Sequence, residues 1–230
     1  MGSVGNRGAG TSGIGMTSDR TRARMVERLR AEGIRDEVVL SAMNAVPRHI
    51  FVDEALAIRA YDDSPLPIGH GQTISQPWVV ARMTELARNG RELDGVLEIG
   101  TGCGYQTAVL ARIAKRVWTV ERIAALVAKA RRNLQALKCS NVALKHGDGS
   151  ADLGEALEVD AIVVSAGATH VPTALVRYLK PGGRMVIPLA KNEEGERGVQ
   201  RLTVIEKAAA GIREQTFDTV RFVPLLSGLG

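Results

Sequence analysis

Val96-Leu97-Glu98-Ile99-Gly100-Thr101-Gly102-Cys103-Gly104 is an apolar run that breaks into three glycines at alternate positions, immediately before a stretch with helical patterning, Gln106 to Ile113. A strand that ends in glycines and turns into a helix brings backbone close to whatever lies beyond the strand tip, the usual ligand-binding place in an open α/β sheet. The spacing is G-x-G-x-G, not the G-x-G-x-x-G of a dinucleotide fold, which aims a helix N-terminus at a pyrophosphate. A glycine-rich loop also serves as an ordinary turn, so its surroundings decide its meaning.

Those surroundings alternate strand and helix. Apolar strand patterns at Val96 to Ile99, Val117 to Val120, Val142 to Lys145, Ala161 to Val164 and Met185 to Pro188 are separated by helical patterns at Gln106 to Ile113, Ala124 to Leu137 and Pro172 to Leu179. This alternation predicts a parallel sheet with helices on both faces. Gln200 to Glu206 and Gln215 to Leu225 have strand patterning without a long helix between them, so they are expected to finish the sheet as antiparallel strands. Upstream, Met25, Leu29, Val38, Val39, Ala42 and Met43 recur at helical spacing, divided by Gly33, capped by Asp36 and stopped by Pro47. Leu66 to Gln72 reads as a shaped loop, and Pro77 opens a helix running through Val80, Met83 and Ala87 to near Gly90.

A chain of 230 residues with 45% apolar content suits a single domain. Met1 to Ser18 is rich in Gly and Ser and without apolar periodicity, so a disordered tail is expected there, with one domain over residues 19–230. Two cysteines, Cys103 and Cys139, make neither a disulfide framework nor a metal motif, which suits a reducing cytoplasm. No run approaches the roughly 18 apolar residues of a spanning helix, so no membrane partner is expected. The net charge of +5 raises the question of nucleic acid. Arg7, Arg20, Arg22, Arg24, Arg28 and Arg30 crowd the N-terminal part, but aromatic residues make up only 3% of the chain, leaving little to stack bases. A solvated basic surface is the expectation, with no nucleic-acid partner.

Two further strand tips carry acids. Glu121, after Val117 to Val120, has the place from which a carboxylate accepts ribose hydroxyls; as a plainer alternative it is an acid at a helix N-terminus. Asp148, in His146-Gly147-Asp148-Gly149, suits the adenine amino group or is simply part of an Asp-Gly turn.

Beyond these elements the chain resembles the protein-L-isoaspartate O-methyltransferase family from about Met25 to Leu226. The resemblance rests on Val46-Pro47-Arg48, Phe51-Val52-Asp53, the run Leu66 to Pro77 with its Gly71-Gln72-Thr73-Ile74-Ser75-Gln76-Pro77 core, Leu97 to Gln106, His146 to Gly149, Pro181-Gly182-Gly183-Arg184 and Arg221-Phe222-Val223-Pro224-Leu225. It implies a class I S-adenosylmethionine-dependent methyltransferase (Rossmann-like) sheet with rearranged last strands, and an N-terminal helical region on the substrate side. It also implies a monomer that transfers methyl to the α-carboxylate of L-isoaspartyl residues in damaged proteins and peptides, the ester then collapsing to a succinimide.

By resemblance Ser75 takes the catalytic place; capping the helix begun at Pro77 is its alternative. The residues expected at the cofactor are Thr73, Ile74, Ser75, Glu98, Gly100, Thr101, Gly102, Gly104, Gln106, Glu121, Asp148 and Gly149. Those expected at the substrate are Ile68, His70, Gln72, Val223 and Leu225, with His70 also readable as a loop histidine that only bonds backbone. No metal is expected. Departures from the family pattern are Cys103, where Ser is frequent, and Ser165-Ala166-Gly167-Ala168, where a Thr-Ala-Ala run is more usual. Three other readings compete. A dehydrogenase has different glycine spacing; an amino-methylating nucleic-acid methyltransferase often carries Asn-Pro-Pro-aromatic where this chain has Ser165 to Ala168; a non-catalytic binder would have no use for the Thr73 to Ser75 site.

Overall fold

A computed structural model describes residues 15–151, 153–154, 156–190 and 199–230. Gly15–Thr17 make one 3-10 turn and Ser18 caps the first helix, its hydroxyl accepting from the Thr21 N–H at 3.4 Å. Of the tail expected to Ser18, Gly15 to Ser18 form this turn and cap, and residues 1–14 lie outside the described residues. Helix α1 (Asp19–Ala31) and helix α2 (Glu37–Ala45) flank Gly33, and the Asp36 carboxylate caps α2 by accepting from the N–H groups of Val38 and Val39. Their inward side chains Met25, Leu29, Val39, Leu40 and Met43 are fully or almost fully buried.

Leu66 to Gln72 is not an irregular loop. Strand β1 (Leu66–Gly69) pairs antiparallel with strand β2 (Gln72–Ile74), and His70 and Gly71, both at positive φ, turn between them. The two glycines that suggested an irregular loop supply left-handed positions beside and within the hairpin turn. Helix α3 (Pro77–Arg88) starts on its proline and ends at Asn89 in the left-handed conformation.

The remainder builds one sheet. Strand β3 (Leu93–Ile99), helix α4 (Tyr105–Leu110), strand β4 (Ala114–Glu121), helix α5 (Ala124–Ala136), strand β5 (Val142–His146), strand β6 (Val159–Val164), helix α6 (Thr173–Val176), strand β7 (Leu179–Ala190), strand β8 (Gln200–Ala208) and strand β9 (Gly211–Val220) follow in sequence. The sheet has seven strands in the order β5-β4-β3-β6-β7-β8-β9; β8 pairs antiparallel with both β7 and β9, and every other neighbouring pair is parallel. The chain winds outward from β3 to β5, then crosses back to place β6 on the other side of β3. That reversal opens a crevice at the strand carboxyl ends.

Val79 and Met83 of α3 and Leu110 of α4 pack on Val96, Val117, Ala161 and Val163. Leu175 and Val176 of α6 belong to the opposite cluster with Leu97, Ile99, Ile162 and Val164. The helix expected over Pro172 to Leu179 shrinks to the four residues of α6, because Leu179 already pairs with Val159 as the start of β7. The strand expected to reach Leu225 ends at Val220, and Pro224 makes only an isolated bridge to Gly167. Proline lacks the N–H that a continuing ladder needs.

Candidate active site

The glycine run sits at the carboxyl tip of β3 as a tight turn. Gly100 N–H donates to the Val120 carbonyl at 2.9 Å, and Gly104 N–H to the Thr101 carbonyl at 2.9 Å. Gly100 has φ +89°, a conformation that a side chain would strain. Glu121, at the tip of the neighbouring strand, ties this turn to its own: one carboxylate oxygen accepts from Gly102 N–H at 2.8 Å and the other from Ile123 N–H at 2.9 Å. Each oxygen keeps a free lone pair, so Glu121 remains able to accept from vicinal hydroxyls.

A cleft opens over these tips. Its lining comes from the hairpin (Gln72, Thr73, Ile74 and Ser75), the glycine turn (Gly100, Thr101 and Gly102), the second tip (Glu121) and Gly149, together with Gln106, Val223 and Leu225. These residues, nominated from sequence, are brought together from five separate parts of the chain. Gly149 fits there only because it lacks a Cβ, which would stand 2.5 Å from Ile99 Cγ2. The other polar groups offered are hydroxyls, amides, the Glu121 carboxylate and backbone, and Arg122, the one lining side chain with a positive charge, donates to the Gly228 carbonyl at 2.9 Å. Such a set suits a ribose and a zwitterionic amino acid better than a pyrophosphate.

Five nominated residues stand outside the cleft. Ile68 is buried beneath Gly102, 3.3 Å from where a Cβ on that residue would lie. His70 is exposed at the hairpin tip, where its carbonyl accepts from the Gln72 side chain. Gly104 caps α4. Asp148 is engaged within the protein, accepting from the Ser150 N–H and hydroxyl on one oxygen and from the Gly228 N–H on the other. Burial pulls its carboxyl upward, but those hydrogen bonds outweigh burial and hold it below its ordinary value. Glu98 is fully buried under the glycine turn, accepting from the hydroxyls of Thr107 and Thr119, and burial pushes its carboxyl up to about 8.

Ser75 is half-buried in the cleft wall and does not cap α3: Gln76 takes that position without a side-chain bond, and Asp63 accepts from the Trp78 N–H instead. A second cleft lies beside the first, lined by Pro65, Gln76, Trp78, Val79 and the Thr219 to Phe222 segment, and it shares Thr73, Ser75, Ser165 and Val223 with its neighbour. The segment that closes both is pinned by backbone. Gly167 N–H donates to Val223 carbonyl at 2.8 Å, and Leu225 N–H to Gly167 carbonyl at 2.7 Å.

Sequence reasoning missed several lining residues, among them Tyr105, Ile123, Ser165 and Leu226. Ser165 had a usable signal, since it follows the fourth parallel strand directly. Leu226 had none, because its place depends on how the segment beyond β9 folds back.

The chain matches the protein-L-isoaspartate(D-aspartate) O-methyltransferase family over residues 20–230. The protein-L-isoaspartate O-methyltransferase of Methylobacillus flagellatus is 56% identical over 222 residues, 96% of this chain and 98% of the relative. That of Dechloromonas aromatica is 58% identical over 94% of this chain and 98% of the relative. Among solved structures, a protein-L-isoaspartate O-methyltransferase from Plasmodium falciparum in complex with S-adenosyl-L-homocysteine superposes with a TM-score of 0.74 at 27% identity, covering 89% of this chain and 98% of that one. On its sequence and its fold alike, the chain belongs to the protein-L-isoaspartate(D-aspartate) O-methyltransferase family.

Proposed function

We propose that this enzyme methylates the α-carboxylate of L-isoaspartyl residues in damaged proteins and peptides, starting a repair that proceeds through a succinimide. The observation that carries this reading is the shared wall of the two clefts: Thr73, Ser75 and Val223 face both, so a donor in one and a peptide in the other meet at Ser75. S-adenosylmethionine supplies a methyl group on a sulfonium, already activated for transfer. Its ribose hydroxyls suit Glu121, and its adenosine suits the walls at Ile123 and Gly149.

A carboxylate is itself a nucleophile at neutral pH, so the chain need not provide a general base. Orientation is then the main contribution, of the order of several kcal/mol. The Ser75 hydroxyl, with no hydrogen-bond partner among the described residues, is free to donate to the acceptor carboxylate and set its direction. Val223 and its neighbours offer backbone groups along the second cleft for the peptide main chain. Cys103 lines the first cleft, but burial pushes its thiol up to about 11, so it stays protonated and does not compete for the methyl group.

Among the described residues no helix is long and apolar enough to cross a membrane. Both cysteines are free and the large exposed apolar side chains are scattered, which supports a monomer working in the cytoplasm without nucleic acid.

The test is transfer of labelled methyl to two matched peptides, one with L-isoaspartate and one with L-aspartate at the same position. Base-labile label on the isoaspartyl peptide alone is expected. Equal labelling of both, or of neither, overturns the acceptor assignment.

A further inference from the structure

Four residues face both clefts, Thr73, Ser75, Ser165 and Val223, and none of them carries a positive charge. An acceptor carboxylate lodged where the clefts meet therefore depends on neutral donors. It brings two oxygens with about four lone-pair sites between them, and leaving them unpaired in a half-buried place costs free energy. Ser75 supplies a single hydrogen. Of the other two hydroxyl side chains, Thr73 is exposed, whereas Ser165 is half-buried like Ser75.

The Ser165 hydroxyl has no hydrogen-bond partner among the described residues, yet the backbone that carries it is fixed on both sides. At the tip of β6 the Ser165 N–H donates to the Ile99 carbonyl at 2.8 Å, and two residues on, Gly167 exchanges hydrogen bonds with Val223 and Leu225. The glycine turn lies directly beside it: a Cβ built on Gly100 would stand 3.6 Å from Ser165 Cβ. Ser165 thus comes from the β6 tip and Ser75 from the exit of the hairpin, two separate elements bordering one opening.

Methyl transfer changes the charge of the acceptor. As one carboxylate oxygen bonds the methyl carbon, the carbon–sulfur electron pair passes to sulfur, and the negative charge of the carboxylate is lost together with the positive charge of the sulfonium. A hydroxyl donating to the carboxylate is then at least as strong a partner before transfer as during it, so it contributes to binding more than to turnover. We propose that Ser165 is a substrate-binding residue for the isoaspartyl α-carboxylate: its hydroxyl donates to the oxygen that does not attack, while Ser75 sets the direction of the one that does. This rests on the carboxylate-acceptor reading of the two clefts.

The test compares Ser165→Ala, Ser165→Thr and Ser165→Val in methyl transfer to an isoaspartyl peptide, with calorimetric binding of S-adenosylhomocysteine beside it. Ser165→Ala is expected to raise the peptide KM about tenfold, with kcat and the S-adenosylhomocysteine Kd within about twofold of wild type. Ser165→Thr keeps the hydroxyl and should hold the peptide KM within about threefold. Ser165→Val matches threonine in size without the hydroxyl and should stay impaired, which separates hydrogen bonding from packing. Combined with Ser75→Ala, Ser165→Ala should leave its own rise in KM unchanged on top of the lower kcat, as expected of donors to different oxygens. Should Ser165→Ala fail to fold, the threonine and valine pair carries the comparison. An unchanged peptide KM in folded Ser165→Ala, equal impairment of Ser165→Thr and Ser165→Val, or a KM for S-adenosylmethionine that rises as much as that for the peptide overturns the inference alone. A wild-type protein that binds S-adenosylhomocysteine but methylates no isoaspartyl peptide overturns it together with the acceptor assignment.

Discussion

Ser75 and Glu98 are both polar residues under or beside the same cleft, and they differ in what their atoms have left to give. Ser75 has an uncommitted hydroxyl facing two clefts, so replacing it with alanine removes a donor to a charged acceptor and nothing structural. Ser75→Ala is expected to lower kcat by about tenfold or more while leaving the melting temperature and S-adenosylhomocysteine affinity near wild type; methyl transfer to an isoaspartyl peptide measures it. Glu98 has the opposite character, with one oxygen buried and unpartnered. Burial raises its carboxyl from the ordinary 4.5 to about 8, so the folded protein holds this proton more tightly than the unfolded chain. Its contribution to stability is therefore fully present below about 4.5 and is lost as pH rises toward 8. Glu98→Gln carries no such titration. Its melting temperature should exceed that of wild type at pH 8, with the gap narrowing as pH falls toward 5 in thermal denaturation at matched ionic strength.

Elements place these residues by features that differ in how local they are. The α2 cap is local: Asp36 accepts from two N–H groups within three residues of itself, and the sequence shows it at once. The segment after β9 is not. Phe222 N–H donates to the Gln200 side-chain oxygen at 2.8 Å, Gln200 is 7% exposed, and the built Cβ of Gly167 would meet its amide at 2.7 Å. Three stretches far apart in sequence thus hold Val223 to Leu225 over the clefts. Gln200→Leu leaves the Phe222 backbone without this partner. The peptide KM is expected to rise about fivefold, more than the KM for S-adenosylmethionine, in assays varying each substrate in turn. The hairpin of β1 and β2 behaves similarly: its turn residues were visible as glycines, but the pairing Leu66 with Ile74 became evident only in the fold.

For the whole molecule, ligand binding and folding are linked. A cleft assembled from the hairpin, two strand tips, Gly149 and the segment after β9 exists only in the folded state, so a ligand filling it stabilises that state. S-adenosylhomocysteine at about one hundred times its Kd should raise the melting temperature by about 5–10 °C. An equal concentration of NAD should not, and scanning fluorimetry or calorimetry reads both. The net charge of +5 is spread over a surface where several basic groups of α1 are already paired, Arg22 with Asp19 and Arg30 with Glu27 and Glu37.

The sequence by itself determined the parallel sheet, its glycine turn, the carboxylate at the second strand tip and the family, because each is written in contiguous residues whose periodicity or spacing has one physical reading. It also named half of the cleft wall. Only the tertiary structure decided which nominated residues face the cleft and which serve it from beneath. Glu98 looked like a ligand contact from its neighbours in the chain, but strand alternation and the packing of α4 turned it inward onto Thr107 and Thr119. Asp148 suited the adenine amino group until Ser150 and Gly228 filled its oxygens, and capping, the alternative role for Ser75, fell to Gln76. These outcomes rest on contacts between residues distant in sequence, and such contacts leave no local pattern to read.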